Sequence, residues 1–198
     1  MSHMEIKSNT AYVGQMFVKE SIHPMPPKPE NDYLFRPFTK KDLPLMARWL
    51  AEPHVAQWWG GDPDDQLAQT ASHIDSISVE PFIVELDGKP IAYLQSYDPH
   101  MEDHHPYQDQ PFGTLGIDLS IGDPALIGKG HGPRMIDAFV AMLFEEGCPR
   151  VIIDPDPANA AAIRAYEKAG FTAFDTRTSE YGPALMMARD ATEEEMHS

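Results

Sequence analysis

The residues best placed to do chemistry gather first in Ile127-Gly128-Lys129-Gly130-His131-Gly132-Pro133-Arg134, a glycine-rich turn opening into a helical run from Met135 to Glu146. Alternating glycines let the backbone approach a bulky anion and turn free N–H groups toward it, and the following helix adds the positive end of its dipole. The candidate phosphate-binding set is therefore Gly128, Lys129, Gly130, His131, Gly132, Pro133 and Arg134. The turn lacks the G-x-x-x-x-G-K-[ST] form of a nucleoside-triphosphate loop, and Arg134 and Met135 after Gly132 break the dinucleotide G-x-G-x-x-G. Nucleotide hydrolysis and NAD binding lose support accordingly. Taken alone, the same turn could equally be a flexible loop that caps a helix.

A second block follows. Val151-Ile152-Ile153 reads as a short buried strand, Asp154-Pro155-Asp156-Pro157-Ala158-Asn159 as a proline-set turn, and Ala160 to Ala169 as a helix closed by Gly170. The run Asn159-Ala160-Ala161-Ala162-Ile163-Arg164-Ala165-Tyr166-Glu167-Lys168-Ala169-Gly170-Phe171, taken with the glycine turn, resembles the acetyl-CoA-binding half of the GNAT acyltransferase superfamily. From about Tyr33 to Met187 the likeness is closer. Trp58-Trp59-Gly60-Gly61, Pro90 to Tyr97, Gly116-Ile117-Asp118 and Asp154-Pro155-Asp156-Pro157 resemble the aminoglycoside N-acetyltransferases that modify the six-prime amine. The coenzyme half is also similar in siderophore-biosynthesis acyltransferases acting on hydroxylysine-like amines, which stay the alternative.

Acyl transfer to an amine needs a neutral nitrogen beside the thioester carbonyl, donors for the developing oxyanion, and a proton for the departing thiolate. The resemblance assigns the first task to Asp118 and the last to Tyr166. An ordinary Asp, with pKa about 3.9, is a poor base for an alkylammonium. Either burial raises it, or it orients the amine while water carries the proton. Backbone N–H groups from Leu119 to Ile121 would hold the thioester oxygen, and Asn159 the pantetheine arm. A flat, polycationic acceptor calls for carboxylates and an aromatic platform. Trp58 and Trp59, strand residues Gln95 and Tyr97, and the carboxylates Asp103, Asp118 and Asp154 are the candidates. Three positions depart from the family pattern. Ile127 replaces a Gln or Arg at the head of the turn, the loop Met101 to Tyr107 lacks paired tryptophans, and Tyr181 replaces an acidic residue near the last hairpin. The expected cosubstrate is acetyl-CoA, and a non-catalytic acyl-CoA-binding module is the reading from a different class.

No metal is expected. His100, His104 and His105 with Asp103 follow no closed zinc spacing, and the superfamily reaction needs none. Cys148, the only cysteine, sits in a Gly-Cys-Pro turn without an adjacent histidine and reads as structural. A formal charge of −16 argues against nucleic acid and favours a cationic small-molecule partner, while Asp62 to Asp65 and Glu193 to Glu195 read as solvated charge. Absence of any disulfide partner, signal-peptide core or apolar run of about 18 residues leads to an expectation of a cytoplasmic protein without membrane contact, monomeric or homodimeric.

The elements that must position these residues form an α/β (α+β) fold of GNAT type, one domain with a mixed, mostly antiparallel central sheet flanked by helices. Strands are expected at Tyr33 to Phe38, Phe82 to Leu86, Lys89 to Tyr97, Thr114 to Ile121, Phe171 to Arg177 and Ala184 to Ala188. Helices are expected over Lys40 to Leu50 and Asp65 to Ile77, and Asp87-Gly88 is a strong hairpin signal. The domain spans residues 32–190 and the acidic tail 191–198. Residues 1–31, proline-rich after a tag-like Ser2-His3-Met4, read as an arm or linker with a possible short strand near Tyr12 to Val18; disorder, packing and a dimer contact are all open.

Overall fold

The computed structural model describes residues 33–179 and 182–195. The arm expected over residues 1–31 and the departure at Tyr181 lie outside them. Strand β1 (Tyr33–Pro37) leads through a 3-10 turn into α1 (Leu43–Leu50), α2 (Pro53–Trp59) and α3 (Pro63–His73). Strands β2 (Val79–Leu86), β3 (Lys89–Tyr97) and β4 (Leu115–Ile121) follow, then α4 (His131–Glu145), β5 (Arg150–Ile153), α5 (Ala160–Lys168), β6 (Thr172–Ser179) and β7 (Gly182–Asp190). They form a seven-stranded sheet in the order β1-β2-β3-β4-β5-β7-β6. Every pairing is antiparallel except β4 with β5.

Local chemistry explains both the agreements and the differences. Asp87 and Gly88 take φ of 51° and 72°, the left-handed pair that a tight β2–β3 hairpin requires. The first helix is shorter than its apolar pattern: Asp42 takes N–H and O–H bonds from Thr39 and holds Lys40–Asp42 as a 3-10 turn before α1. Helix α2 has no counterpart among the elements expected from the sequence. It starts on Pro53, suited to a first helical position, and stops at Gly60 with φ 70°. Helix α3 runs from Pro63 to His73 rather than Asp65 to Ile77, because Asp62 caps it by accepting from the Asp64 N–H. Strand β2 begins at Val79 despite Pro81, which lies just past the end of β1 pairing and needs no N–H on that side. Helix α4 begins at His131, four residues before the expected start, since Pro133 in a first turn forfeits no intrahelical bond.

Alternation along the strands divides the core between two faces. Val84, Ala92, Leu94, Ile117, Val151 and Met187 pack against α4 and α5 through Met135, Ile136, Phe139, Val140 and Tyr166. On the opposite face Ile83 and Tyr93 meet Met46, Trp49 and Leu50 of α1 and Val55 of α2. Farther along that face Tyr97, Tyr107, Ile152 and Met186 form a third cluster. Fully buried Phe139 sits edge-on to Phe35 at 5.0 Å and Phe82 at 5.3 Å, tying α4 to the first two strands. Phe139→Ala is expected to cost about 3–5 kcal/mol, read as a lower urea midpoint at unchanged slope.

Candidate active site

The site begins where the parallel pair parts. β4 and β5 are in register only at Leu115 with Val151 and Gly116 with Ile152. Beyond that β5 ends at Ile153 and the chain leaves through Asp154 and Pro155, while β4 continues to Ile121 with a neighbour on one side alone. The Gly122 N–H donates to Ile91 O on β3 at 2.9 Å. Strand alternation therefore turns the N–H groups of Asp118 and Ser120 toward β3, and those of Leu119 and Ile121 toward the opening. Consistent with this, the Ile121 carbonyl faces away from β3 and lies 2.8 Å from His54 Nε2 on α2. The opening is a cleft of about 560 Å³ lined by Asp118 to Ile121, the glycine turn, Ile153 to Asp156, one face of α5 and the His54, Trp58 and Trp59 side of α2.

At one end stands the glycine turn. Gly128 and Gly130 adopt φ of 73° and 80°, and no atom lies within 4 Å of where a Cβ would sit on either. Gly130 is the left-handed N-cap of α4, so the first-turn N–H groups of His131 and Gly132 have no intrahelical partner. That is the environment a diphosphate needs. Two members of the candidate set contribute less than their position suggests: Pro133 has no N–H, and the Lys129 N–H already donates to Leu126 O at 3.4 Å. Arg134 folds back to donate to Gly130 O at 3.1 Å, which keeps its guanidinium over the turn. His131 Nδ1 lies 2.9 Å from the Tyr33 hydroxyl, and burial together with Arg134 and Lys129 depresses its pKa. Asn159 caps α5 by accepting from the Ala162 N–H at 3.1 Å, leaving its amide N–H groups to donate into the cleft. Ser120 lines the cleft, and its Oγ is buried without a hydrogen-bond partner among the described residues.

Where the cleft crosses the sheet, two carboxylates meet a tyrosine. Gln95 Nε2 donates to Asp118 Oδ2 at 2.9 Å, and Gln95 Oε1 accepts from the Tyr93 hydroxyl at 2.7 Å and lies 3.1 Å from His73 Nδ1. The Gln95 amide is thereby held with its donor toward Asp118. Burial, reinforced by the negative charge of Asp154 and opposed by the Gln95 bond, pushes the Asp118 carboxyl up to about 7. Burial also raises Asp154, against the hydrogen bond it accepts from the Tyr107 hydroxyl. Tyr166 reaches the same place from the α4 and α5 face; burial and then the two carboxylates raise its pKa, keeping its proton available at neutral pH.

The structure brings together most, but not all, of the residues singled out in the sequence. Trp58, 41 % exposed, and Trp59 flank the cleft, and Trp59 also packs edge-on to Tyr93 at 5.7 Å. Gln95 supports Asp118 from behind. Tyr97 is buried under the strand, its ring lying 2.0 Å from where a Gly116 Cβ would be, and it does not line the cleft. Asp103 is exposed on the loop before β4, also outside the cleft lining. Sequence patterning missed His54, Tyr107 and the roles of Tyr93 and His73. A Pro-His pair opening a helix was the available signal for His54; nothing local marks Tyr107, whose partner is 47 residues away.

The Asp118 environment carries a stability consequence. With its folded pKa above the unfolded value, the folded chain binds more protons between about pH 4 and 7, so stability falls as pH rises through that window. Asp118→Asn keeps an acceptor for Gln95 and removes the charge. Calorimetry is expected to show the variant melting several degrees above the parent at pH 8, about 1–3 kcal/mol after allowance for the part of the carboxylate facing water, with the gap closing near pH 4.

Residues 39–178 match the family described as "Acetyltransferase (GNAT) domain". The aminoglycoside N(6′)-acetyltransferase type 1 of Klebsiella pneumoniae is 35% identical over 162 residues, covering 78% of this chain and 81% of the relative. A lysine N-acyltransferase, MbtK, of Mycolicibacterium paratuberculosis is 33% identical over 154 residues, covering 74% and 69%. Among solved structures, the aminoglycoside acetyltransferase AAC(6′)-Ib in complex with coenzyme A and kanamycin superposes with a TM-score of 0.74 at 33% identity, covering 83% of this chain and 96% of the other. The mixed-sheet fold is thus shared with proteins aligned over most of their length, and this chain belongs to the GNAT acetyltransferase family.

Proposed function

We propose that this protein transfers the acetyl group of acetyl-CoA to a primary amine of a cationic small molecule, and that the acceptor is the six-prime amine of an aminoglycoside. The observation that supports this most strongly is Asp118, a carboxylate raised to about 7 beside the open edge of β4. It lies in a cleft that also holds unpaired amides at its glycine-turn end. The identity to an N(6′)-acetyltransferase supports the acceptor class.

Acetyl-CoA supplies an acyl carbon already activated as a thioester. The α4 N-terminus and glycine turn hold its diphosphate, and Asn159 its pantetheine arm. Asp118 accepts one proton from the acceptor ammonium, which frees the nitrogen lone pair. The Leu119 and Ile121 N–H groups stabilise the carbonyl oxygen as the N–C bond forms. Tyr166 gives its proton to the sulfur as the C–S bond breaks, and the second proton lost by nitrogen balances that transfer. The sum is amide, thiol and one proton released through Asp118 to water. Trp58 and Trp59 offer flat faces for a sugar ring, and the Asp118 and Asp154 pair offers the counter-charge for ammonium groups.

The test is thiol release from acetyl-CoA across an amine panel containing kanamycin-type aminoglycosides and hydroxylysine. Turnover of the aminoglycosides is expected; preference for hydroxylysine would move the acceptor to the siderophore class of the MbtK relative, and coenzyme binding with no turnover would leave a binding module. Asp118→Asn is expected to lower kcat about 100-fold or more, and Tyr166→Phe to lower it by about tenfold to 100-fold. In the parent enzyme kcat/KM rises with pH through about 7, as Asp118 loses its proton, and that limb disappears in Asp118→Asn.

A further inference from the structure

The loop before β4 carries no residue of the catalytic set, yet one of its side chains is held on that set from two directions. Arg177 on β6 donates to both carboxyl oxygens of Asp109 at 3.0 and 2.7 Å and to Pro106 O at 2.8 Å. Asp175 accepts from the same guanidinium at 2.9 Å. The guanidinium carbon stands over the Tyr107 ring, 5.5 Å from its centre, and His105 packs against the same ring at 5.1 Å. Tyr107 is 4% exposed, and its hydroxyl donates to Asp154 Oδ2. The bidentate Arg–carboxylate pair fixes the direction of the guanidinium more tightly than a single ion pair would, although Asp109 itself faces solvent.

Two neighbouring carboxylates cannot both be charged cheaply, so around neutrality they hold one proton between them. Their surroundings are unequal. Asp118 accepts from a neutral amide, Gln95, while Asp154 accepts from the clamped phenol. The other groups facing the pair are the hydroxyls of Tyr93 and Tyr97 on β3 and of Tyr166 on α5; Glu102 acts through Tyr97, Arg177 through Tyr107 and His73 through Gln95. Besides Tyr107, Asp154 accepts only from its own backbone N–H, so Tyr107 is the one side-chain donor on it among the described residues.

We propose that Tyr107 is a positioning residue of the transfer site: its hydroxyl, fixed by the Arg177 clamp, holds Asp154 as the standing anion, so that the mobile proton resides on Asp118, beside the acceptor nitrogen. The clamp thereby links the β6–β7 edge of the sheet to the protonation state of the catalytic pair. The inference deepens the acetyl-transfer reading, and its turnover readout rests on that reading, whereas its titration readout does not.

Tyr107→Phe keeps the ring under Arg177 and removes only the donor. Carboxyl 13C titration of the free, aspartate-labelled protein is expected to show Asp154 deprotonating before Asp118 in the parent, and loss of the pair's last proton moving up by about half a pH unit or more in the variant. The acid limb of kcat/KM should move with it, so that the loss of activity at pH 6 exceeds that at pH 8.5 by about threefold. Asp109→Asn, which loosens the clamp without touching either carboxylate, should shift both in the same direction by less. Superimposable titration curves in Tyr107→Phe, or an activity loss equal at every pH, would overturn the proposal. A shifted titration without acetyl transfer to any amine would uphold it and would count against the proposed reaction instead.

Discussion

The site depends on the early parting of β4 from β5. A parallel pair that stayed in register to the end of β4 would satisfy Leu119 and Ile121 through β5 and close the sheet. The proline-bearing turn at Asp154 and Pro155 draws the chain away after Ile153 instead. The resulting edge lies inside the molecule, lined rather than covered, and its amides have nothing but the cleft to donate to. Because it passes through the sheet, Tyr166 arrives from the α4 and α5 face while Asp118 and its supporting Gln95 sit on the face that holds Tyr93 and α1 to α3. A thioester carrier and an amine can therefore reach one point from opposite sides.

That arrangement sets the electrostatics. Asp118 is screened by protein on most sides and shares its surroundings with a second carboxylate, so its charge is costly until a cation arrives. In the proposed reaction an ammonium group would relieve the cost, take the place of water and give up its proton to a base near neutrality. The stability penalty of the free protein would then be the same one that makes the carboxylate reactive. Sites of this kind are commonly less stable than a hydrophobic replacement would be. At the far end the glycine turn meets a different constraint: Gly128 and Gly130 need left-handed backbone and open space, so a side chain at either would both strain the turn and fill the cradle.

Much of the fold was legible because short-range signals agree with long-range ones. Asp87-Gly88 announced its hairpin, Gly170 its helix end, and the apolar runs at Ile83 to Leu86 and Val151 to Ile153 their strands. That the glycine turn, Asp118 and Tyr166 would line one cleft was legible too, since each sits in a contiguous motif that resembles the family's. Helix α2 was not, because Pro53 and the glycines at 60 and 61 look like turn residues unless one sees that they start and stop a helix of seven residues. Tyr97 could not be placed from sequence, as the face it occupies is set by register with Gly116. Tyr107 illustrates the deeper limit: its role is created by Arg177, 70 positions later in the chain, and by Asp154, and only the folded sheet brings the three together.

The most direct measurement is a crystal structure of the protein with acetyl-CoA. The diphosphate is expected against the amides of residues 130–132, the pantetheine arm threaded between β4 and β5, and the thioester carbonyl within hydrogen-bond distance, about 3 Å, of the Leu119 or Ile121 N–H. A coenzyme bound elsewhere on the surface, or β4 and β5 found zipped together with the cleft closed, would contradict it.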